Sequence, residues 1–317
     1  MIKDRSIFVT GGAGFIGSTV IGRLIDDNRI TVYDNFRRDS LSGKPYAEHP
    51  NLRVVHGDVL DAETLTKEMA GAHIVVHCAA IAGIYSVSRK PTETMRVNML
   101  GTANVLEAAR SLENLERVVS FSTSEVFGQS AFRSEETDAT NIGAVGEARW
   151  TYAVSKLAGE FLAKAYHQEH RMPTVTVRPF NVYGPGQVGE GAMKAFITRA
   201  LKGEPITIHN EGNQIRAWCY VDDFIEGLLL AMEHPKAVGE SFNIGNARAV
   251  ITVYGLAQTV VRVLGSASKI GFAEKHHTDV ELRVPSVRKA RELLGFEART
   301  DLDEGILATA EFFRNQL

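Results

Sequence analysis

Ser6-Ile7-Phe8-Val9-Thr10-Gly11-Gly12-Ala13-Gly14-Phe15-Ile16-Gly17 is a short apolar run that stops on glycines, and Phe15 to Asp26 then carries apolar residues at helical spacing. The pattern predicts strand, tight turn and helix. Ile30-Thr31-Val32-Tyr33-Asp34 is the next strand. The alternation continues with Leu52–His56 as strand, Ala62–Met69 as helix, His73–His77 as strand, Val97–Ala109 as helix and Arg117–Ser122 as strand. Such alternation implies right-handed crossovers and an α/β fold: a Rossmann-type, doubly wound parallel sheet with helices on both faces.

After a helix around Tyr152 to Gln168, the strand Thr174–Arg178 runs into Pro179-Phe180-Asn181-Val182-Tyr183-Gly184-Pro185-Gly186, whose prolines and glycines mark a loop leaving the sheet. Beyond it the segments shorten: Met193–Leu201, Val221–Met232 and Tyr254–Leu264 as helices, Ile206–Ile208 and Ser241–Ile244 as strands. This half reads as a smaller C-terminal α/β substrate-binding domain. The expected division is 1–180 for the cofactor, with a returning segment near 217–250, and 181–317 mainly for the substrate. Arg37–Asn51 and Gln129–Arg149 are the expected irregular stretches.

The chain of 317 residues has a net charge of −3 and no basic stripe, which argues against nucleic acid as the main partner. Its two cysteines, Cys78 and Cys219, lie far apart in apolar stretches and read as reduced, buried thiols. Met1-Ile2-Lys3-Asp4-Arg5 leads straight into the first strand, and no run approaches the ~18 apolar residues of a membrane span. The expectation is a soluble, cytoplasmic protein.

Gly11, Gly14 and Gly17 recur at three-residue intervals, so the turn lets a backbone approach a pyrophosphate at a helix N-terminus. Asp34, ending the second strand, is an acceptor for the ribose hydroxyls of NAD and repels the 2′-phosphate of NADP; Arg37 and Arg38 follow it and read alternatively as a solvated loop. Asp58 in Gly57-Asp58-Val59 is either an adenine-edge contact or a helix N-cap. Ala79 and Ala80 are small residues where a cofactor passes, and His77 reads as a packed strand-end histidine. Phe15, Ile16, Asn35, Val59 and Pro179 complete the expected cofactor-binding set.

Tyr152 and Lys156 are four apart and share a helical face. An ammonium beside the phenol lowers its pKa, so the tyrosine can act as a base near neutrality. Ser122-Thr123-Ser124-Glu125-Val126-Phe127-Gly128 supplies a hydroxyl at the carboxyl end of the sheet. Together with Arg-Pro-Phe-Asn-Val-Tyr-Gly-Pro (178–185) and Arg216-Ala217-Trp218-Cys219-Tyr220-Val221-Asp222-Asp223, these motifs make essentially the whole chain resemble the extended short-chain dehydrogenase/reductases that modify nucleotide sugars. The resemblance implies that Thr123 hydrogen-bonds the reacting hydroxyl, Tyr152 deprotonates it and Lys156 also holds the nicotinamide ribose. It further implies Asn181 at the substrate diphosphate and Arg216 at the nucleotide's phosphate or ribose, for which a surface ion pair is the alternative. A homodimer packed through a helical face is implied as well.

The resemblance also sorts the reaction. Members oxidise sugar C4 with NAD and diverge afterwards. 4,6-Dehydratases follow the threonine with Asp-Glu, whereas this chain has Ser124-Glu125, without the acid. Thr-Ser-Glu resembles the UDP-glucuronate decarboxylases, as do Asp279-Val280-Glu281-Leu282-Arg283-Val284-Pro285-Ser286-Val287-Arg288 and Arg149-Trp150-Thr151-Tyr152. Oxidising C4 of a glucuronate makes a β-keto acid whose carbon dioxide leaves readily. Arg283 can grip the carboxylate with two hydrogen bonds, and Glu125 can exchange a proton at C5. The alternatives are a solvated or ion-paired helix-flanking Arg283 and a Glu125 that accepts from backbone donors. His276-His277 stands where many epimerases carry a phosphate-binding arginine; no Cys/Asp cluster surrounds it, so no metal is expected. The expected function is a UDP-hexuronate decarboxylase, with a UDP-sugar 4-epimerase as the closest competitor and a non-catalytic NAD sensor as the reading from another class. The intact Thr123, Tyr152 and Lys156 set argues against a sensor.

Overall fold

In β1 (Ser6–Thr10), Ile7 and Val9 join one buried cluster and Phe8 another. This is the two-residue alternation of a strand covered on both faces. The computed structural model describes residues 2–274 and 279–317. After β1 come α1 (Phe15–Leu24), β2 (Arg29–Asp34), β3 (Leu52–His56), α2 (Ala62–Met69), β4 (Ile74–His77), α3 (Ile84–Arg89), α4 (Pro91–Met95), α5 (Gly101–Arg110) and β5 (Arg117–Phe121). Then follow β6 (Ser130–Ser134), α6 (Ala148–His170), β7 (Thr174–Pro179), β8 (Val182–Tyr183), α7 (Ala192–Lys202), β9 (Ile206–His209), β10 (Ile215–Ala217), β11 (Cys219–Tyr220) and α8 (Val221–Glu233). The chain ends with β12 (Ser241–Ile244), β13 (Val250–Thr252), α9 (Val253–Leu264), β14 (Ile270–Ala273), β15 (Leu282–Pro285), α10 (Arg288–Leu294) and α11 (Leu302–Arg314).

Seven strands form one parallel sheet in the order β12-β7-β5-β4-β1-β2-β3. One face packs on α1, α8 and α10 through Ile21, Phe224 and Leu294, the other on α2, α5 and α6 through Leu65, Leu106 and Ala163. The winding reverses at β1, between β2 and β4, and opens a crevice beyond the carboxyl ends of β1 and β4. A third core, with Phe196, Val260 and Ile306, joins α7, α9 and α11.

A four-stranded sheet, β13-β10-β15-β6, joins three strands of the second half of the chain to β6 of the first. Its last strand corrects one expectation: Gln129–Arg149 is not wholly irregular, because Ser130–Ser134 pairs in parallel with β15. The helix expected from Val97 begins as a π-helical segment, Arg96–Leu100, that runs into α5. No helix of the described residues is long and apolar enough to cross a membrane.

Candidate active site

Every residue named above for the cofactor borders one cleft of about 370 Å³ at this crevice. The glycine turn makes it possible. A Cβ on Gly11 would lie 2.4 Å from the Ala79 backbone nitrogen, and one on Gly17 would lie 2.5 Å from the Gly11 carbonyl oxygen. Gly14 caps α1 without any side-chain hydrogen bond, so the first-turn amides are open to an anion. Asp34 accepts from the amides of Ala13 (2.9 Å) and Phe36 (2.8 Å). Burial raises this carboxyl and those amides pull it back; each oxygen keeps a second lone pair for a ligand. Asp58 is not the helix cap: Asp61 caps α2 by accepting from the Thr64 amide, and Asp58 accepts from Leu60 and borders the cleft.

Of the two arginines after Asp34, Arg37 stays on an exposed loop and Arg38 turns in to the cleft. Arg37 pairs with Glu93 at 3.0 Å, and Arg38 donates to the Ala82 carbonyl and the Ser86 hydroxyl. Glu190, from the loop after β8, accepts from the Tyr85 and Ser86 amides and straps the cleft's far side. His77 is buried between the Thr10 (2.7 Å) and Thr102 (3.0 Å) hydroxyls, and burial drives its pKa down to about 3. Cys219 is buried, whereas Cys78 is only half-buried because it borders the cleft; both are free thiols.

Thr123, Ser124, Tyr152 and Lys156 meet at the carboxyl end of β5. Thr123, in extended backbone, caps the 3-10 turn Ser124–Phe127 by accepting from the Glu125 amide at 3.2 Å, and Ser124 is buried beside it. Burial pushes the Tyr152 phenol up and the Glu125 charge adds to this; a hydrogen bond with Thr123 and the charges of Arg283 and Arg38 oppose it. The net shift is upward, and Lys156 is not among its main causes. That ammonium is itself buried and desolvation drives it down to about 8.

Glu125, Arg149, Arg216, Asp279 and Arg283 form a chain of alternating charge. Arg283 Nη1 lies 3.5 Å and Arg149 Nη2 3.3 Å from the same Glu125 oxygen; Arg149 Nη1 lies 3.0 Å and Arg216 Nη2 3.4 Å from the same Asp279 oxygen. Arg283 corrects its alternative reading: it stands within β15, 3 % exposed, rather than flanking a helix. It also donates to the Gly128 carbonyl, while its Nε has no partner. Burial lowers Arg283 to about 10, and Glu125 is the main group that offsets this. Arg216 is likewise buried and not a surface pair, donating to the Val280 carbonyl. Glu125 bonds guanidiniums and not backbone donors. Asn181, with a left-handed φ of 39°, gives its amide to the Ala217 carbonyl. His276 and His277 lie outside the described residues.

Sequence reasoning named Asp279 only within a motif and passed over Glu190 and Asn98, whose amide joins Ile81 to Ser155 on the helix of Tyr152. Arg149 entered only as part of a motif. Its place three residues before Tyr152, on the same helical face, was the available signal.

The sequence matches the NAD dependent epimerase/dehydratase family over residues 7–245. The chain belongs to that family. As a member it is an enzyme whose cofactor is NAD, and the glycine turn, the open amides of α1 and the carboxylate of Asp34 fit that cofactor. Among its relatives, UDP-glucuronic acid decarboxylase 6 of Arabidopsis thaliana is 34% identical over 99% of this chain and 90% of its own length. UDP-N-acetyl-alpha-D-glucosaminuronate decarboxylase of Bacillus cytotoxicus is 32% identical over 99% of this chain and 98% of its own. Among solved structures, the UDP-glucuronic acid 4-epimerase of Bacillus cereus, in complex with UDP-glucuronic acid and NAD, superposes with a TM-score of 0.90 at 27% identity, covering 98% of this chain and all of that one.

Proposed function

We propose that this protein is an NAD-dependent UDP-hexuronate decarboxylase acting through transient oxidation at sugar C4. One observation carries the choice of an acidic sugar. Among the described residues, the three guanidiniums of Arg149, Arg216 and Arg283 are met by only the two carboxylates of Glu125 and Asp279, leaving one buried positive charge without a counter-ion. A buried unpaired charge is costly, so the cluster suits an anionic guest. The unpartnered Nε of Arg283 offers the edge on which a carboxylate takes two parallel hydrogen bonds.

In this reading Thr123 holds the C4 hydroxyl and Tyr152 takes its proton, with Lys156 at the nicotinamide ribose. NAD, when bound, supplies the hydride acceptor. The product is a β-keto acid held by Arg283. Its C5–C6 bond breaks, the electron pair delocalises toward the C4 oxygen beside Thr123 and Tyr152, carbon dioxide leaves, and C5 takes a proton with Glu125 at hand. Residues 1–180, with the returning segment near 217–250, hold the cofactor; 181–317 mainly hold the nucleotide sugar, with Asn181 and Arg216 on its diphosphate side. The protein works in the cytoplasm as a homodimer, its contact formed by exposed Leu100, Val154 and Phe161 beside and along α6.

The experiment is to incubate the protein with NAD and UDP-glucuronate and follow the sugar by NMR. Carbon dioxide and a UDP-pentose are expected. UDP-galacturonate without carbon dioxide overturns decarboxylation in favour of a 4-epimerase, the second reading, which the Bacillus cereus structure's UDP-glucuronic acid ligand supports. Turnover of UDP-glucose with no uronate turnover overturns the argument from Arg283. Tyr152→Phe is expected to lose turnover while binding NAD.

A further inference from the structure

We infer that Arg149 is the positioning residue that holds Glu125 for the step after oxidation. The inference rests on the decarboxylase reading above. Glu125 lends one oxygen to both Arg283 and Arg149, at 3.5 and 3.3 Å. A substrate carboxylate that takes Arg283 brings a second negative charge to that guanidinium and displaces the glutamate from it. Among the described residues, Arg149 is the other cation paired with Glu125, so it alone is placed to keep the carboxylate at the reacting end of the sugar.

Arg149 is built for such a hand-over. Its side chain is 9% exposed and its far side pairs with Asp279 at 3.0 Å. Asp279 is held in turn by the Val280 amide at 2.7 Å and by Arg216. Arg149 Nε is buried without a hydrogen-bond partner, so the guanidinium, whose Nη1 is paired with Asp279, keeps a donor free to tighten on Glu125 when Arg283 lets go. It also stands on α6 three residues before Tyr152, so the base for C4 and the support for Glu125 ride on one rigid helix. Arg149 touches Glu125 and not the reacting atoms; its effect belongs to the loss of C6 and the protonation at C5, not to the hydride step.

The test separates those steps. With saturating NAD and UDP-glucuronate, the rise of reduced nicotinamide absorbance reports oxidation at C4, and released carbon dioxide reports the later step. Arg149→Met is expected to oxidise within about threefold of the wild-type rate, to release carbon dioxide about 100-fold more slowly, and to build up reduced cofactor. Arg149→Lys, which restores one charged donor, is expected to recover most of that loss and carries the test by itself if the methionine variant does not fold. Variants that decarboxylate at the wild-type rate, or that lose both steps together, overturn the inference while the wild type still decarboxylates. A wild type that releases no carbon dioxide overturns the parent reading, and this one with it.

Discussion

Lys156 is an ammonium kept where solvation is poor, and the consequence is a stability that climbs with pH. Burial drives it from its ordinary 10.5 down to about 8, with Cys78 and Glu160 pulling the other way. Between those values the unfolded chain binds a proton that the folded chain does not, so stability rises with pH across that window. The gap, at about 1.4 kcal/mol per pH unit, makes the contribution about 3 kcal/mol. Lys156→Met removes the penalty. Urea denaturation of the cofactor-free proteins should find the variant gaining on the wild type near neutrality by about 3 kcal/mol relative to their difference at about pH 10.5. The Cys78 thiol, pushed up to about 12 by burial, slopes stability the opposite way above its ordinary 9.0, but it is present in both proteins and largely cancels on subtraction. A difference that stays flat to within about 1 kcal/mol over the window refutes the argument. A charge that costs stability at this depth in the cleft is the mark of a residue kept for chemistry.

The buried His77 has the same sign at lower pH: its folded value near 3 against an ordinary 6.5 means stability is lost on acidification below about 6.5, by up to about 5 kcal/mol, and His77→Gln should flatten that loss in acid denaturation. Gly17→Ala drives a methyl into the Gly11 carbonyl, so NAD affinity measured by calorimetry should fall by more than about tenfold, the equivalent of 1.4 kcal/mol; unchanged affinity would remove the turn from the cofactor site. Arg283→Met should leave NAD binding intact and lower kcat/KM for UDP-glucuronate by about 100-fold or more, the cost of an unpartnered buried carboxylate, and a loss under about fivefold would argue that the carboxylate is held elsewhere.

The seven-stranded sheet was legible because strands buried on both faces leave nearly unbroken apolar runs, such as Ile7-Phe8-Val9 and Val118-Val119. That the residues expected at the cofactor come together was legible for a related reason, since topology alone brings the ends of β1, β2 and β4 to one crevice. The second sheet was not. Its strands are three to five residues long, too short for periodicity to register, and Arg216 and Arg283 sit where a strand is expected to be apolar. How strongly Lys156 acts on Tyr152 was not legible, because helical spacing says which side chains share a face and nothing of how much water each keeps. Arg149 and Asp279 entered only as members of motifs, without roles, since their partnership joins segments that no local pattern relates.

That second sheet breaks a local rule in a telling way. Arg216 and Arg283 are register partners on adjacent parallel strands, both buried, and each charge lowers the other's affinity for its proton or shares neighbours that do. Like charges side by side in a sheet destabilise it, and an apolar pair in their place would pack better. What offsets them comes from outside the sheet, Glu125 from the turn after β5 and Asp279 from the strand's approach, but these two carboxylates also serve Arg149, a third cation between them. Among the described residues the compensation stops one charge short. A structural ion cluster has every reason to close on neutrality, since each buried charge left over costs folding free energy. A cluster that stays open beside Thr123 and Tyr152 suits an anion, and on the proposed reading the two guanidiniums at its ends divide the work, Arg283 toward the sugar's reacting end and Arg216 toward the nucleotide.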